Sequence, residues 1–192
     1  MLGSIKYNLA HLLDFRGRDA RQTFWYYVLF VYLLNIGVSL IAIIPGLMRA
    51  MSAVMAASQQ SPEAAELAAQ GMMSSLAPGM MWASLIGGVL LLTMLAASLV
   101  RRLHDSDLSG WWAALPGAIY AYTLARMPTQ MEEMQSVLSE ASTGEGVSAN
   151  AMQGQFQLET LIGWLPFLMV IILGVRKSSA GPNRFGEAPV QF

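Results

Sequence analysis

Three short stretches cluster side chains capable of polar chemistry. DFRGRDAR carries Asp14, Arg16, Arg18, Asp19 and Arg21; RRLHDSD carries Arg101, Arg102, His104, Asp105 and Asp107; PNR carries Asn183 and Arg184. A guanidinium presents a planar fork of donors that matches a carboxylate or a phosphate, so these arginines suit pairing with the nearby aspartates or holding an anion. His104 beside Asp105 adds groups that could serve a proton transfer or a divalent ion. Adjacent donors on one short turn are, however, more often hydrogen-bonded or solvated. His11 and His104 are the only histidines, neither an HExxH pattern nor a Gly-rich phosphate loop occurs, and a serine near His104 and Asp105 is no triad signature. The absence of cysteine removes disulfides, thiolate metal sites and cysteine nucleophiles together. No catalytic residue, metal site or cofactor is assigned.

The elements that must position these residues are set by an unusual composition. Hydrophobic residues make up 55% of 192 positions and charged residues 12%, with a mean hydropathy of +0.47, the profile of a chain built for lipid. The first residues, MLGSIKYNLAHLLDFRGRDAR, lack the long apolar core and small-residue cleavage site of a signal peptide. The charge-free run Phe24–Met48 covers about 37 Å as a helix and Met80–Val100 about 31 Å, each enough for a hydrocarbon core of about 30 Å. Shorter runs at Trp111–Ala125 and Leu161–Val175 each hold a proline and are extended by uncharged flanks. The expectation is an all-α polytopic membrane protein: a four-helix transmembrane bundle with spans near 24–48, 80–100, 110–126 and 158–175, forming a single integral membrane domain over 1–192.

Nine of the eleven basic residues precede the first span, lie between the second and third, or follow the fourth, whereas only Arg49 and Arg126 lie in the opposite connections. The positive-inside rule then makes both termini and the RRLHDSD turn cytoplasmic. Ile5, Leu9, Leu12 and Leu13 recur at helical spacing, predicting a short interfacial helix before the first span. Arg18 and Arg21 are expected on one helical face toward the headgroups. Ser109 reads as the N-cap of the third span, and Trp25, Trp111 and Trp112 as interfacial anchors.

Outside, Ser61-Pro62-Glu63 predicts the start of a short extracytoplasmic helix ending at Gly71, and Thr129 with Glu132 forms a capping box for another, with Ser142–Gly146 as its flexible end. Met48, Met51 and Met55, then Met127, Met131 and Met134, follow helical spacing. Thioethers can bind Cu(I), but such stripes are more often packing surface. Pro45, Pro116 and Pro166 permit discontinuous helices of the kind that expose backbone to solutes, with Asn35, Ser39, Thr93, Ser98 and Thr123 available to line a polar path. No acidic or basic residue lies inside any of the four apolar runs, which counts against an ion-coupled carrier.

FRGRDARQTFW (Phe15–Trp25), RRLHDSDLSGWW (Arg101–Trp112) and GPNRFGEAP (Gly181–Pro189) occur in this order with apolar spans between them. Together they resemble the bacterial inner-membrane family catalogued as domain of unknown function 805, over nearly the whole chain. The chain departs from the resemblance at Asp107 and Leu108, where relatives usually show a glycine and often a basic residue, and in its Met/Ala/Gln/Ser-rich outer segments. The resemblance implies a small polytopic protein of the bacterial cytoplasmic (inner) membrane and supplies no activity. Because its three motifs fall on one side, a bundle would gather Arg16, Arg18, Arg21, Arg101, Arg102 and Arg184 with Asp14, Asp19, His104, Asp105 and Asn183 into one network. The network would clamp the chain, or hold an anionic headgroup. The function expected is non-catalytic binding of membrane lipids, anionic phospholipid among them, or of other membrane proteins or a second copy. The alternatives are a small-solute transporter or channel on kinked helices and an enzyme acting on a phosphorylated lipid. Nothing points to nucleic acid.

Overall fold

The computed structural model describes residues 1–143 and 149–189. Ser142–Gly146 as a flexible end and the side chain of Met134 lie outside the described residues. Among those residues the chain is helical: α1 (Leu2–Ala10), α2 (Arg21–Ser58), α3 (Pro62–Gln70), α4 (Met72–Asp105), a 3-10 turn at Gly110–Ala113, α5 (Ala114–Thr143) and α6 (Ala149–Gly174). Three helical segments are long and apolar enough to cross a membrane: Arg21–Ser58, Ser75–Asp105 and Gln157–Gly174. The 30 residues of α5 are long enough, but the charged and polar residues from Arg126 onward dilute its apolar start.

At 38 residues α2 reaches about 57 Å, so it outlasts a hydrocarbon core instead of ending near Met48. Ser61 does cap α3, its hydroxyl accepting from the Ala64 N–H at 3.1 Å, with Pro62 at the first helical position. The second expected outer helix is not separate. Thr129 and Glu132 fall inside α5, because nothing between Arg126 and Glu133 breaks the hydrogen-bonded ladder except Pro128, which the helix absorbs. Ser109 likewise makes no side-chain cap; its carbonyl, not its hydroxyl, accepts from Trp112 N–H at 3.2 Å in the 3-10 turn. The expected discontinuous helices are not found among the described residues: α2 and α6 run unbroken through Pro45 and Pro166. Pro116 sits in the first turn of α5, where a missing N–H costs no helical bond.

The packing is inverted relative to a water-soluble domain. Leu29, Leu33, Ile41, Val89, Leu168 and Ile172 are exposed along the spanning helices, while Arg18, Asp19, Arg101, Arg102 and Asp105 are buried. In lipid an exposed apolar face costs nothing, and polar groups must be satisfied within the protein. The helices α2 and α4 form the central pair, joined by Phe24, Val28, Leu99 and Leu103 near one end and by Tyr27, Val31, Leu91 and Met94 farther along. α5 packs on α4, and α6 packs on α5 with further contact to α4 and α2. The short α1 turns its polar side inward: Ser4 and Asn8 are buried while Leu2 and Leu9 are exposed.

Candidate functional site

The last turn of α4 places three ionisable side chains on the inward side of the helix, and the chain on either side folds over them. Asp105 is fully buried and bridges two arginines. Its Oδ1 accepts from Arg18 Nε at 3.3 Å and from an Arg18 terminal nitrogen at 3.0 Å, and its Oδ2 accepts from Arg102 at 2.6 Å. Arg18 also donates to the carbonyls of Ser179, Gly181 and Gly186 at 3.1, 2.7 and 3.2 Å and to the Ser179 hydroxyl at 3.0 Å. Arg102 donates through Nε to the Gly174 carbonyl at 2.9 Å, capping the end of α6, and to the Arg176 carbonyl. A side chain at Gly174 would come within 2.7 Å of Phe24, so glycine is what lets the end of α6 reach the Phe24 ring on α2.

One residue back, Arg101 turns to the other side. It donates through Nε to Asp19 at 3.1 Å, to the carbonyls of His11 (2.9 Å) and Asp14, and to Asn8 Oδ1 at 2.6 Å, with its guanidinium 5.5 Å from the centre of the Tyr7 ring. Ser98, one turn earlier on α4, donates to the second oxygen of Asp19 at 3.0 Å. Burial pushes the Asp19 carboxyl above its usual range, and the Arg101 charge with the Arg101 and Ser98 hydrogen bonds pulls it back. Arg101 therefore holds α1 and the pre-helix segment, and Arg102 with Asp105 holds Arg18, the end of α6 and the tail.

The tail completes the clasp. Gly181 and Gly186 take the positive φ values of 69° and 131° that glycine tolerates, bringing Asn183 and Gly186 into a two-way backbone pair at 3.0 Å. Asn183 donates to the His104 carbonyl at 2.8 Å and to Ser179 Oγ at 2.9 Å, and accepts from Phe185 N–H at 2.9 Å. That turn lays Phe185 flat on His104, ring centres 3.9 Å apart. His104 Nδ1 lies 3.2 Å from the Gly17 carbonyl.

The sequence-expected residues divide by location. Arg18, Arg101 and Arg102 are interior, joined with Asp19, His104, Asp105 and Asn183. Arg16 and Arg21 are exposed, as is Asp14, whose carboxylate accepts the Arg16 N–H at 3.0 Å. Arg184 meets Asp107 at 3.2 Å on the surface. Two expectations are corrected. Arg18 and Arg21 do not share a headgroup-facing helical side, because Arg18 precedes α2 in non-helical chain and is 5% exposed. A six-arginine anion pocket does not form either, because the three buried guanidinium groups are already aimed at carboxylates and backbone carbonyls. Trp111 and Trp112 are exposed, whereas Trp25 packs edge-on against Phe24 and under Gly174. Sequence reasoning passed over Asn8, Ser179 and Phe185. Asn8 was detectable as the partner, four residues on, of Ser4 on one polar side of an apolar helix; Ser179 and Phe185 carried no such signal.

Directly above the clasp lies an apolar groove of about 980 Å³ between α2, α4, α5 and α6. Its walls run along α4 from Leu91 to His104, about 20 Å of helix. Phe15, Trp111, Phe185 and His104 form the clasp end, and Tyr32, Tyr120 and Phe167 the other, with Phe167 6.2 and 5.7 Å from the two tyrosine rings. Beyond those rings a smaller cavity of about 360 Å³ is lined by Asn35, Ser39, Ser84, Thr123, Gln130 and Glu159. Glu159 accepts from Arg126 at 3.1 Å and Gln130 at 2.7 Å, tying α5 to α6. Of the residues considered for a polar path, Asn35, Ser39 and Thr123 reach this cavity; Ser98 belongs to the clasp and Thr93 bonds its own helix.

A family model described as Protein of unknown function (DUF805) matches residues 12–187. No curated protein and no solved structure matches the chain.

Proposed function

The chain belongs to the DUF805 family, and from that premise we propose that it is a bacterial inner-membrane protein that holds the hydrocarbon chain of a membrane lipid in the groove between α2, α4, α5 and α6, without catalysis. In this reading α5 is the fourth span, carried by its apolar start and by its place between α4 and α6. Both termini and the clasp face the cytoplasm, following the excess of basic residues there. The observation that carries the proposal is the groove itself. A cavity of about 980 Å³, apolar along about 20 Å of α4, has the size and chemistry of a site for an alkyl chain, and the surrounding solvent is made of such chains. The Arg/Asp clasp is its frame: it fixes the ends of α4 and α6 and the tail, which together form the groove's cytoplasmic end. Anionic headgroups meet the exposed Arg16 and Arg21 as a diffuse attraction, about 1 kcal/mol for each basic residue. A small-solute path is less well supported, because Tyr32, Tyr120 and Phe167 stand between the polar cavity and the apolar groove.

Gly117 supplies the test. It lines the groove, and a Cβ added there meets nothing within 4 Å, so a side chain can begin at this position without a clash and Gly117→Phe directs bulk into the groove. In phosphatidylcholine nanodiscs, a photoactivatable alkyl diazirine should label groove residues of the wild type, and Gly117→Phe should remove most of that labelling while thermal stability is retained. Equal labelling of the two proteins, or labelling confined to the outer surface, refutes the proposal.

A further inference from the structure

Resting on the groove as a chain site, we propose that its occupant is a long-chain lipid alcohol, whose hydroxyl donates a hydrogen bond to His104 Nε2 at the groove's cytoplasmic end. The imidazole is oriented by three neighbours. Nδ1 lies 3.2 Å from the Gly17 carbonyl, an acceptor that has no proton to give, so Nδ1 is the nitrogen that carries the hydrogen. Phe185 covers one face of the ring at 3.9 Å in a nearly parallel stack. Gly110 packs beside the Nε2 edge, where a Cβ would stand 3.0 Å from Nε2. Among the described residues Nε2 has no hydrogen-bond partner in the protein, and His104 lines the groove with Ser109, Gly110 and Trp111.

The open acceptor on His104 selects the class of headgroup. With Nδ1 directed at the Gly17 carbonyl, Nε2 is the ring nitrogen left to accept a hydrogen bond. An acceptor at the end of an alkyl-sized channel calls for a donor on the chain terminus, which a hydroxyl provides and an ether or a fully ionised phosphate does not.

Competition against the alkyl diazirine photoprobe in phosphatidylcholine nanodiscs tests this on the full chain, with hexadecanol, hexadecyl methyl ether and hexadecyl phosphate as competitors. The alcohol should compete about tenfold better than the ether, the scale of one hydrogen bond in an apolar site, and better than the phosphate. His104→Asn keeps an amide donor near the Nδ1 position for the Gly17 carbonyl but removes the Nε2 acceptor, so it should abolish the alcohol preference while chain labelling persists. His104→Gln, which carries an amide oxygen toward the Nε2 position, should retain part of it. Equal competition by alcohol and ether, superior competition by the phosphate, or an unchanged preference in a folded His104→Asn protein overturns the assignment to an alcohol. Failure of the photoprobe to enter the wild-type groove overturns instead the chain site on which it rests.

Discussion

Removal of the Asp105 carboxylate is the sharpest perturbation the clasp offers. Asp105 has no exposure, accepts three hydrogen bonds from Arg18 and Arg102, and its backbone carbonyl accepts from Ser179 N–H at 2.8 Å. Asp105→Ala leaves the backbone bond but strands two buried guanidinium groups, each still held by carbonyls yet without a countercharge. The cost of breaking a buried pair from one side is about 3–5 kcal/mol, most of it the desolvation of the orphaned charge. Arg102→Ala should fall in the same range, since it exposes the Gly174 and Arg176 carbonyls as well as half of the Asp105 carboxylate. In the double variant no Arg102 charge remains to be stranded by loss of Asp105, so the combined effect should fall short of the sum by about 2 kcal/mol. Equilibrium unfolding in mixed micelles, with the two singles and the double measured together, gives that coupling directly. Additivity to within about 0.5 kcal/mol would refute the clasp as a cooperative unit and return these residues to the role of independent headgroup anchors.

Other expectations follow from particular placements. Arg184→Ala removes a pair whose members are 61% and 54% exposed, so it should cost less than about 1 kcal/mol in the same assay, against several for Arg102→Ala. Asp107 holds a left-handed φ of 55°, a backbone conformation that glycine adopts freely; Asp107→Gly should be neutral or stabilising, whereas Asp107→Val should lose about 1–2 kcal/mol of folding free energy. For topology, a cysteine replacing the exposed Gln59 should react with an impermeant maleimide in intact spheroplasts and one replacing the exposed Ser178 should not; the reverse pattern would invert the orientation.

Read alone, the sequence determined the solvent and the broad architecture. A charge-poor chain with long uncharged runs has to place helices in lipid, because there the backbone must satisfy its own hydrogen bonds, and that requirement is legible in Phe24–Met48 and Met80–Val100 without knowledge of any contact. It also gathered the polar residues near the span ends on one side as candidates, without separating the buried Arg18, Asp19, Arg101, Arg102 and Asp105 from the exposed Asp14, Arg16 and Arg21. Which of them pair was a tertiary decision. Adjacent residues on α4 point about 100° apart, so Arg101 takes Asp19 and α1 while Arg102 takes Asp105 and the end of α6, a division invisible in the string RR. Burial was likewise beyond the sequence: Arg18 and Arg21 look alike three residues apart, but only Arg18 lies in the segment before α2 and under the tail, where Gly181 and Gly186 offer carbonyls. The continuity of α5 past Thr129 depended on helix propensity over a long window rather than on a local capping pattern. The groove had no sequence signature at all, because a cavity is the space that four helices fail to fill, and that depends on how Trp25, Tyr32, Tyr120 and Phe167 pack across it rather than on any one segment.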